Sequence, residues 1–263
     1  MTRRRLDVEL VRRGMAASPT EAADAILAGR VTVAGRPAAK PGSLVAPDEP
    51  VSVSGPQRRY VSRGGEKLAA ALDRFGIDPR GRRCVDAGAS TGGFTDVLLA
   101  RGAEHVVAVD VGYGQLAWRI RQDPRVTVME RTNVRSILPG DLPYRPDLIV
   151  ADLSFISLVA VIPALSAMSA PGADVVLLVK PQFEASPSEI GRGGVVTDPA
   201  VWRRAVERVA DACRAGGLGP QGVTASPVRG PAGNVEFLLH ARRAAPGTVL
   251  ALDAALAEGV RAS

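Results

Sequence analysis

The chain has 263 residues, 46% hydrophobic and 23% charged, so it can bury a large core and is not an intrinsically disordered segment. Its formal net charge of +6 points to a polyanionic partner. Two distant cysteines, Cys84 and Cys213, have no CxxC spacing and no histidine beside them; this excludes a disulfide framework, and no metal is expected.

The positive charge gathers at the start, where residues 1–60 carry ten basic side chains against six acidic ones. Met1-Thr2-Arg3-Arg4-Arg5 leads into an amphipathic segment rather than an apolar signal core, so a cytoplasmic location is expected. In Leu6-Asp7-Val8-Glu9-Leu10-Val11-Arg12-Arg13 the apolar residues recur at helical spacing, and Gly14 supplies a stop. Ser18-Pro19-Thr20-Glu21 is a capping box with proline at the first helical position, predicting a second helix that runs to Ala28 and ends at Gly29. Val31-Thr32-Val33, a turn at Ala34-Gly35-Arg36, and Val51-Ser52-Val53 read as short strands, with Lys40 in a solvated loop between them. Two helices and a small arginine-rich ribbon suit nucleic acid, with Arg3, Arg4, Arg5, Arg12, Arg13 and Arg30 as phosphate contacts. A generic helix-turn-helix DNA binder is one reading of this module. The run Gly29-Arg30-Val31-Thr32-Val33-Ala34-Gly35 resembles instead the S4 RNA-binding domain, over residues 6–53. The chain then divides into an S4-like domain at residues 1–57, a linker at 58–61 and a second domain at 62–263. Arg58, Arg59 and Tyr60 in the linker are placed to touch RNA, although a plain solvated linker fits the composition equally.

From Arg82 onward strands and helices alternate. Strands are expected at Cys84-Val85-Asp86-Ala87, at His105 to Asp110, at Val126 to Met129, at Asp147 to Asp152 and at Asp174 to Lys180. Runs near residues 221–226 and 235–240 complete the sheet. Such alternation predicts an α/β fold with a mainly parallel, doubly wound, Rossmann-like sheet. Residues 153–173 carry no charge and pass a transmembrane length test, but their serines, prolines and Pro-Gly turn mark them as core, and no membrane partner is expected. Cys84 and Cys213 read as small core residues, His105 and His240 as structural.

Asp86-Ala87-Gly88-Ala89-Ser90-Thr91-Gly92-Gly93-Phe94 follows the first of these strands and opens a helix. Its glycines let the backbone approach a ligand closely and turn tightly. The spacing is not GxGxxG, and the leading acid disfavours a diphosphate and suits a cationic amino-acid moiety. Asp110 ends the second strand, where a carboxylate accepts hydrogen bonds from ribose hydroxyls. The combination fits S-adenosylmethionine rather than NAD. Asp86 would sit near the methionine ammonium group, with Gly88, Ser90, Gly92, Gly93 and Phe94 in the loop, Asp110 on the ribose and Asn133 at the adenine.

Lys40, Lys67 and Lys180 are the chain's three lysines among 33 basic residues, so arginine serves wherever charge alone is needed. A buried lysine can lose its proton and act as a base; arginine cannot. Lys180 closes the run Val175-Val176-Leu177-Leu178-Val179, at the strand end where open α/β sheets keep their chemistry. Asp152 ends the preceding strand, Glu236 opens the last one, and Lys67 begins the helix before the first. Two plain salt bridges lining a cleft would also account for these four.

Lys67, Asp152, Lys180 and Glu236, in this order, resemble the tetrad of RNA ribose 2′-O-methyltransferases of the FtsJ/RrmJ type. With an S4-like domain ahead of it, the chain is identified as a member of the TlyA family of rRNA methyltransferases, some of them named haemolysins. The matching runs include Val61-Ser62-Arg63-Gly64-Gly65, Asp110-Val111-Gly112-Tyr113-Gly114-Gln115-Leu116, Asp152-Leu153-Ser154-Phe155-Ile156-Ser157 and Lys180-Pro181-Gln182-Phe183-Glu184. The resemblance implies S-adenosylmethionine-dependent cytidine 2′-O-methylation of rRNA at the ribosomal subunit interface, and sensitivity to capreomycin-type antibiotics. The arginine-rich start and a helix-like C-terminus resemble the longer family members, which act on both subunits. Arg58-Arg59-Tyr60-Val61 departs from the family's linker, which often carries a tryptophan. In this scheme Lys180 is the general base, Lys67 lowers its pKa by like-charge repulsion and orients the hydroxyl, and Asp152 and Glu236 hold the two amines. A monomer is expected. An RNA-binding assembly factor with an inactive fold and a membrane-lytic protein are the alternatives.

Overall fold

A computed structural model describes residues 3–16, 19–54 and 59–261, apart from the side chains of Thr20 and Glu21. Arg58 and the capping residue Ser18 therefore lie outside the described residues. The first unit comprises β1 (Arg4–Arg5), α1 (Leu6–Arg12), α2 (Pro19–Leu27), β2 (Val31–Val33), β3 (Arg36–Pro37), β4 (Leu44–Val45) and β5 (Val51–Val53). β2 lies between β3 and β5, antiparallel to both, and β1 pairs with β4. Leu6 and Leu10, one helical turn apart, meet Ala22, Ile26, Val31 and Val45 in a small core of their own.

Most of the N-terminal arginines meet carboxylates inside this unit. Glu9 is fully buried and takes Arg12 at 2.5 Å and Arg13 at 2.8 Å, with Arg4 at 3.8 Å; Arg5 pairs with Asp7 at 2.7 Å. Arg13 also donates to the carbonyls of Ala46, Pro47 and Glu49. The expected phosphate contact of Arg13 is thus replaced by an internal clamp between α1 and the 46–49 turn. Arg4, Arg5 and Arg12 keep about half their side-chain surface open, and Arg3 is exposed. Hydrogen bonds from Arg12 and then Arg13 hold the Glu9 carboxyl down at about 2. A depressed carboxylate pKa contributes stability above its ordinary range and loses it as pH falls towards the folded value. Glu9→Gln is accordingly expected to speed hydrogen exchange of α1 amides at neutral pH, with the gap to the parent protein closing as pH falls towards 2.

The second unit runs α3 (Gly64–Phe75), β6 (Arg83–Ala87), α4 (Gly93–Ala100), β7 (His105–Val109), α5 (Trp118–Arg121), β8 (Val126–Met129), β9 (Leu148–Ala151), α6 (Ile162–Met168), β10 (Asp174–Val179), α7 (Pro181–Glu184), α8 (Pro199–Ala215), β11 (Leu218–Ala225), β12 (Phe237–Arg243) and α9 (Leu252–Arg261). Its sheet has the order β11-β12-β10-β9-β6-β7-β8. The five strands from β10 to β8 in that order are parallel, and β12 is antiparallel to both its neighbours. β10 shows why a continuous apolar run is needed in such a sheet. Val175, Leu177 and Val179 enter the core under α6, α8 and α9, while Val176 and Leu178 enter the one under α3 and α4.

The strands follow the expected positions closely, with Asp110, Asp152 and Lys180 each one residue beyond a strand end. β11 begins earlier than expected, at Leu218, and carries an irregularity between Pro220 and Gly222. The uncharged stretch at 153–173 forms a loop and the seven-residue α6, packed in the core; no helix among the described residues is long and apolar enough to cross a membrane. Cys84 and Cys213 are fully buried, and burial pushes both thiols up to about 12. His105 bonds the Tyr144 hydroxyl at 2.8 Å and His240 the Asp174 carboxylate at 2.9 Å, both structural links.

Candidate functional site

The site forms where the chain leaves β6, at the point where successive crossovers reverse direction. Strand neighbours here diverge and leave a crevice at their carboxyl ends. Gly88 turns out of β6 at φ 87° and its N–H donates to Val109 across the sheet at 2.8 Å. A Cβ on Gly88 would stand 2.4 Å from the Asp152 carbonyl oxygen, and one on Gly93 2.1 Å from the Ser62 hydroxyl, so both positions demand glycine. Gly92, at φ 95°, leads into α4. The Asp110 carboxylate accepts Ser90 N–H at 2.8 Å and Gly112 N–H at 2.7 Å, which fixes the loop to the next strand.

A cleft of about 1200 Å³ opens over this loop, and Gly88, Ser90, Gly93 and Phe94 line it. A small adjoining pocket is lined by Ser90, Asp110, Gln115 and Glu130. Gly92 and Asn133 line neither; the Asn133 side chain accepts the Arg135 N–H and caps its own turn. Asp86 lines neither as well. It lies fully buried beneath the loop, where one oxygen accepts the Thr95 N–H at 2.9 Å and hydroxyl at 2.6 Å and the other, Oδ1, has no partner. Through Thr95 it supports the loop from below.

Burial pushes the Asp86 carboxyl up to about 7. A raised carboxyl pKa means the folded state holds the proton more tightly, so stability falls as pH rises from the ordinary range near 3.8 through 7. Asp86→Asn is expected to melt progressively higher than the parent, ligand-free protein as pH is raised through that window. A constant difference in melting temperature across the window would show that Asp86 does not titrate there.

All four tetrad residues line the same cleft. Lys67, in the first turn of α3, meets Glu236 at 2.5 Å; the two are 6% and 1% exposed. Lys180 meets Asp152 at 2.6 Å and donates to the Ser154 hydroxyl at 2.9 Å. Register explains the arrangement. Val179 of β10 faces Phe237 of β12, so the residues just beyond them, Lys180 and Glu236, reach one edge of the sheet. The second Glu236 oxygen, Oε1, is buried without a partner. The two lysines are held as separate ion pairs, each on its own carboxylate.

Three further residues organise the site without having been singled out from the sequence. Ser154 adds a partner to Lys180. Glu184, 4% exposed, accepts the Ser157 hydroxyl at 2.5 Å and the Leu158 N–H at 2.7 Å, tying the loop after β9 to α7. Asp96 accepts the Val61 N–H at 2.8 Å and pairs with Arg119, joining the linker's end to α5 beside the cleft. Ser154 and Glu184 fall within the runs that resemble the family, but spacing alone names no partner for them, because each acts through a residue distant in sequence. Residues 188–194 do not line the cleft, and Glu189 is tied to Arg204. Exposed aromatics stand nearby: Trp118 lines the cleft, Tyr113 lies under the Arg131 guanidinium at 4.4 Å, and Phe155 is 92% exposed.

Comparison with known proteins accords with this geometry. The FtsJ-like methyltransferase family model matches residues 60–243 and the S4 domain model residues 4–51. The chain is 52% identical to the 16S/23S rRNA (cytidine-2′-O)-methyltransferase TlyA of Mycobacterium tuberculosis, across 98% of both chains. It is 36% identical to the Hemolysin A of Brachyspira hyodysenteriae, across 90% of this chain and 98% of that one. A solved Streptococcus thermophilus structure described as a hemolysin superposes with a TM-score of 0.78 at 37% identity, covering all of this chain and 96% of the other.

Proposed function

The chain belongs to the FtsJ-like methyltransferase family, in its S4-bearing TlyA branch, and from that premise we propose that it is an S-adenosylmethionine-dependent rRNA (cytidine-2′-O)-methyltransferase. The observation that carries this reading is the pair of lysine–carboxylate contacts, Lys67 with Glu236 and Lys180 with Asp152, beside a glycine-lined cleft. The residues present fit the cofactor: Gly88, Ser90 and Gly93 line the cleft without bulky side chains, and Asp110 borders the adjoining pocket with oxygens suited to ribose hydroxyls. Bound there, S-adenosylmethionine supplies a methyl group activated by a sulfonium.

The protein's own task is to make a ribose hydroxyl nucleophilic. Lys180 accepts the hydroxyl proton on its amine lone pair and becomes an ammonium, which Asp152 is already placed to stabilise. The Lys67–Glu236 pair holds the ribose in register, its ammonium donating to the same hydroxyl region. The RNA contacts are assigned to Arg3, Arg4, Arg5, Arg12, Arg30 and Arg59 together with the exposed aromatics, through phosphate pairing and base stacking. Both ribosomal subunits are the proposed substrates, and the cytoplasm the place of action.

The test is transfer of labelled methyl from S-adenosylmethionine to isolated small and large ribosomal subunits from a strain lacking this methylation. Label at a cytidine ribose in both is expected. Cofactor binding without transfer to either subunit would overturn the rRNA assignment, and absence of cofactor binding would favour an RNA-binding assembly factor.

A further inference from the structure

Ser154 lies outside the lysine–carboxylate tetrad, yet its hydroxyl accepts from Lys180 Nζ at 2.9 Å in the same cleft. The donor count at that nitrogen gives the contact its meaning. A neutral lysine amine has two N–H bonds and one lone pair, arranged tetrahedrally with the side chain. Asp152 at 2.6 Å and Ser154 at 2.9 Å take two of those directions. When both N–H bonds point to these acceptors, the lone pair is the direction left over. Asp152 alone fixes one N–H and leaves the second N–H and the lone pair free to exchange places.

We propose that Ser154 is a positioning residue for the methyl-transfer reaction: its hydroxyl sets the rotation of the Lys180 amine so that the lone pair meets the incoming ribose hydroxyl. This rests on the reading of Lys180 as the base. The atoms balance within the reaction already proposed. The O–H bond of the ribose breaks as the N–H bond on Lys180 forms, the oxygen gains the methyl carbon, and the electron pair of the broken carbon–sulfur bond stays on sulfur. Afterwards the ammonium has three N–H bonds, two of them held by the same pair of acceptors, and the third gives its proton to water. The local backbone keeps Ser154 in place. Glu184 anchors Ser157 and Leu158 three and four residues on, and the following Phe155 takes the left-handed conformation at φ 63°. Ser154 itself is exposed towards the cleft, so a larger side chain has space there.

Two effects separate this role from mere support of the loop. An acceptor stabilises the charged ammonium more than the neutral amine, because hydrogen bonds from ionised donors are the stronger ones. Removing it leaves the ammonium formed on proton transfer less well held and slows that step. Misalignment of the lone pair lowers the chemical step and leaves binding untouched.

The experiment compares the full-length protein with Ser154→Ala, Ser154→Thr and Lys180→Arg, using large ribosomal subunits that lack the methylation. Single-turnover rate and KM for S-adenosylmethionine are read, and cofactor binding is measured separately by calorimetry. Ser154→Ala is expected to lower the rate about tenfold at unchanged KM and cofactor affinity, and Ser154→Thr to restore the parent behaviour. A parent-like rate in Ser154→Ala overturns the proposal, as does a rate loss accompanied by weaker cofactor binding or without rescue by threonine. If Lys180→Arg keeps the parent rate, the base assignment itself fails, and that outcome is distinct from failure of Ser154 alone.

Discussion

Replacing Lys180 by arginine is expected to cut methyl transfer about a thousandfold while leaving S-adenosylmethionine binding within about twofold of the parent protein. The side chain is 7% exposed and held by Asp152 at 2.6 Å. Arginine keeps the positive charge and satisfies the same carboxylate, so a purely electrostatic or structural role survives the change. Acceptance of a proton does not survive it, because the guanidinium is never deprotonated in a protein. General-base contributions typically amount to a factor of about a hundred to ten thousand, which sets the size of the loss. Single-turnover transfer to ribosomal subunits reads the rate and calorimetry the binding. A variant retaining most of the parent rate would remove Lys180 from the chemistry and leave the two ion pairs as walls of the cleft.

The second large effect is expected at Gly88. Its φ of 87° strains any residue with a Cβ, and here that atom would fall 2.4 Å from the carbonyl oxygen of Asp152. The clash is with backbone, not with the tip of a flexible side chain. Asp152 N–H is also bonded to Ala87 O at 3.0 Å, so the end of β9 cannot retreat without breaking the sheet pairing. Gly88→Ala is therefore expected to cost about 2–4 kcal/mol of stability, combining backbone strain with overpacking. Because Asp152 carries the partner of Lys180, the same shift is expected to weaken cofactor binding at least tenfold and to abolish transfer. Gly81→Ala is the control. Its φ of 68° gives comparable strain, but nothing lies within 4 Å of the added atom, so only a modest fall in melting temperature is expected there. Equal behaviour of the two variants in melting and cofactor titration would show that the contact with Asp152 is immaterial.

Much of this molecule is legible in local pattern. The run Asp174–Val179 is apolar from its second residue on because both faces of a central parallel strand are covered. The loop from residue 86 to 94 announces its glycines because left-handed turns and close packing leave no room for a Cβ. The scarcity of lysine singled out Lys67 and Lys180 before any geometry was known. The arginine cluster at the start misled in part, since composition counts charges and cannot say which are taken up by a buried Glu9. The direction taken by the leading acid of the glycine loop is not legible in the same way: the strand's own pleat turns Asp86 inward, onto Thr95.

Sequence by itself determined the elements and their order, the two-unit organisation, the glycine loop and the four residues able to hold or move a proton. All of these follow from periodicity, backbone freedom and side-chain chemistry, which are properties of short stretches. Tertiary structure alone decided who partners whom. Lys67 and Glu236 are 169 residues apart, and they meet because β12 runs antiparallel beside β10, which brings its start to the carboxyl edge of the parallel strands. Asp152 rather than Glu236 holds Lys180, Ser154 completes its shell, and Asp86 retreats beneath the loop. The reason is physical. An ion pair or hydrogen bond acts over a few ångströms in space, and only the crossing of strands in the finished sheet sets which distant residues come within that reach.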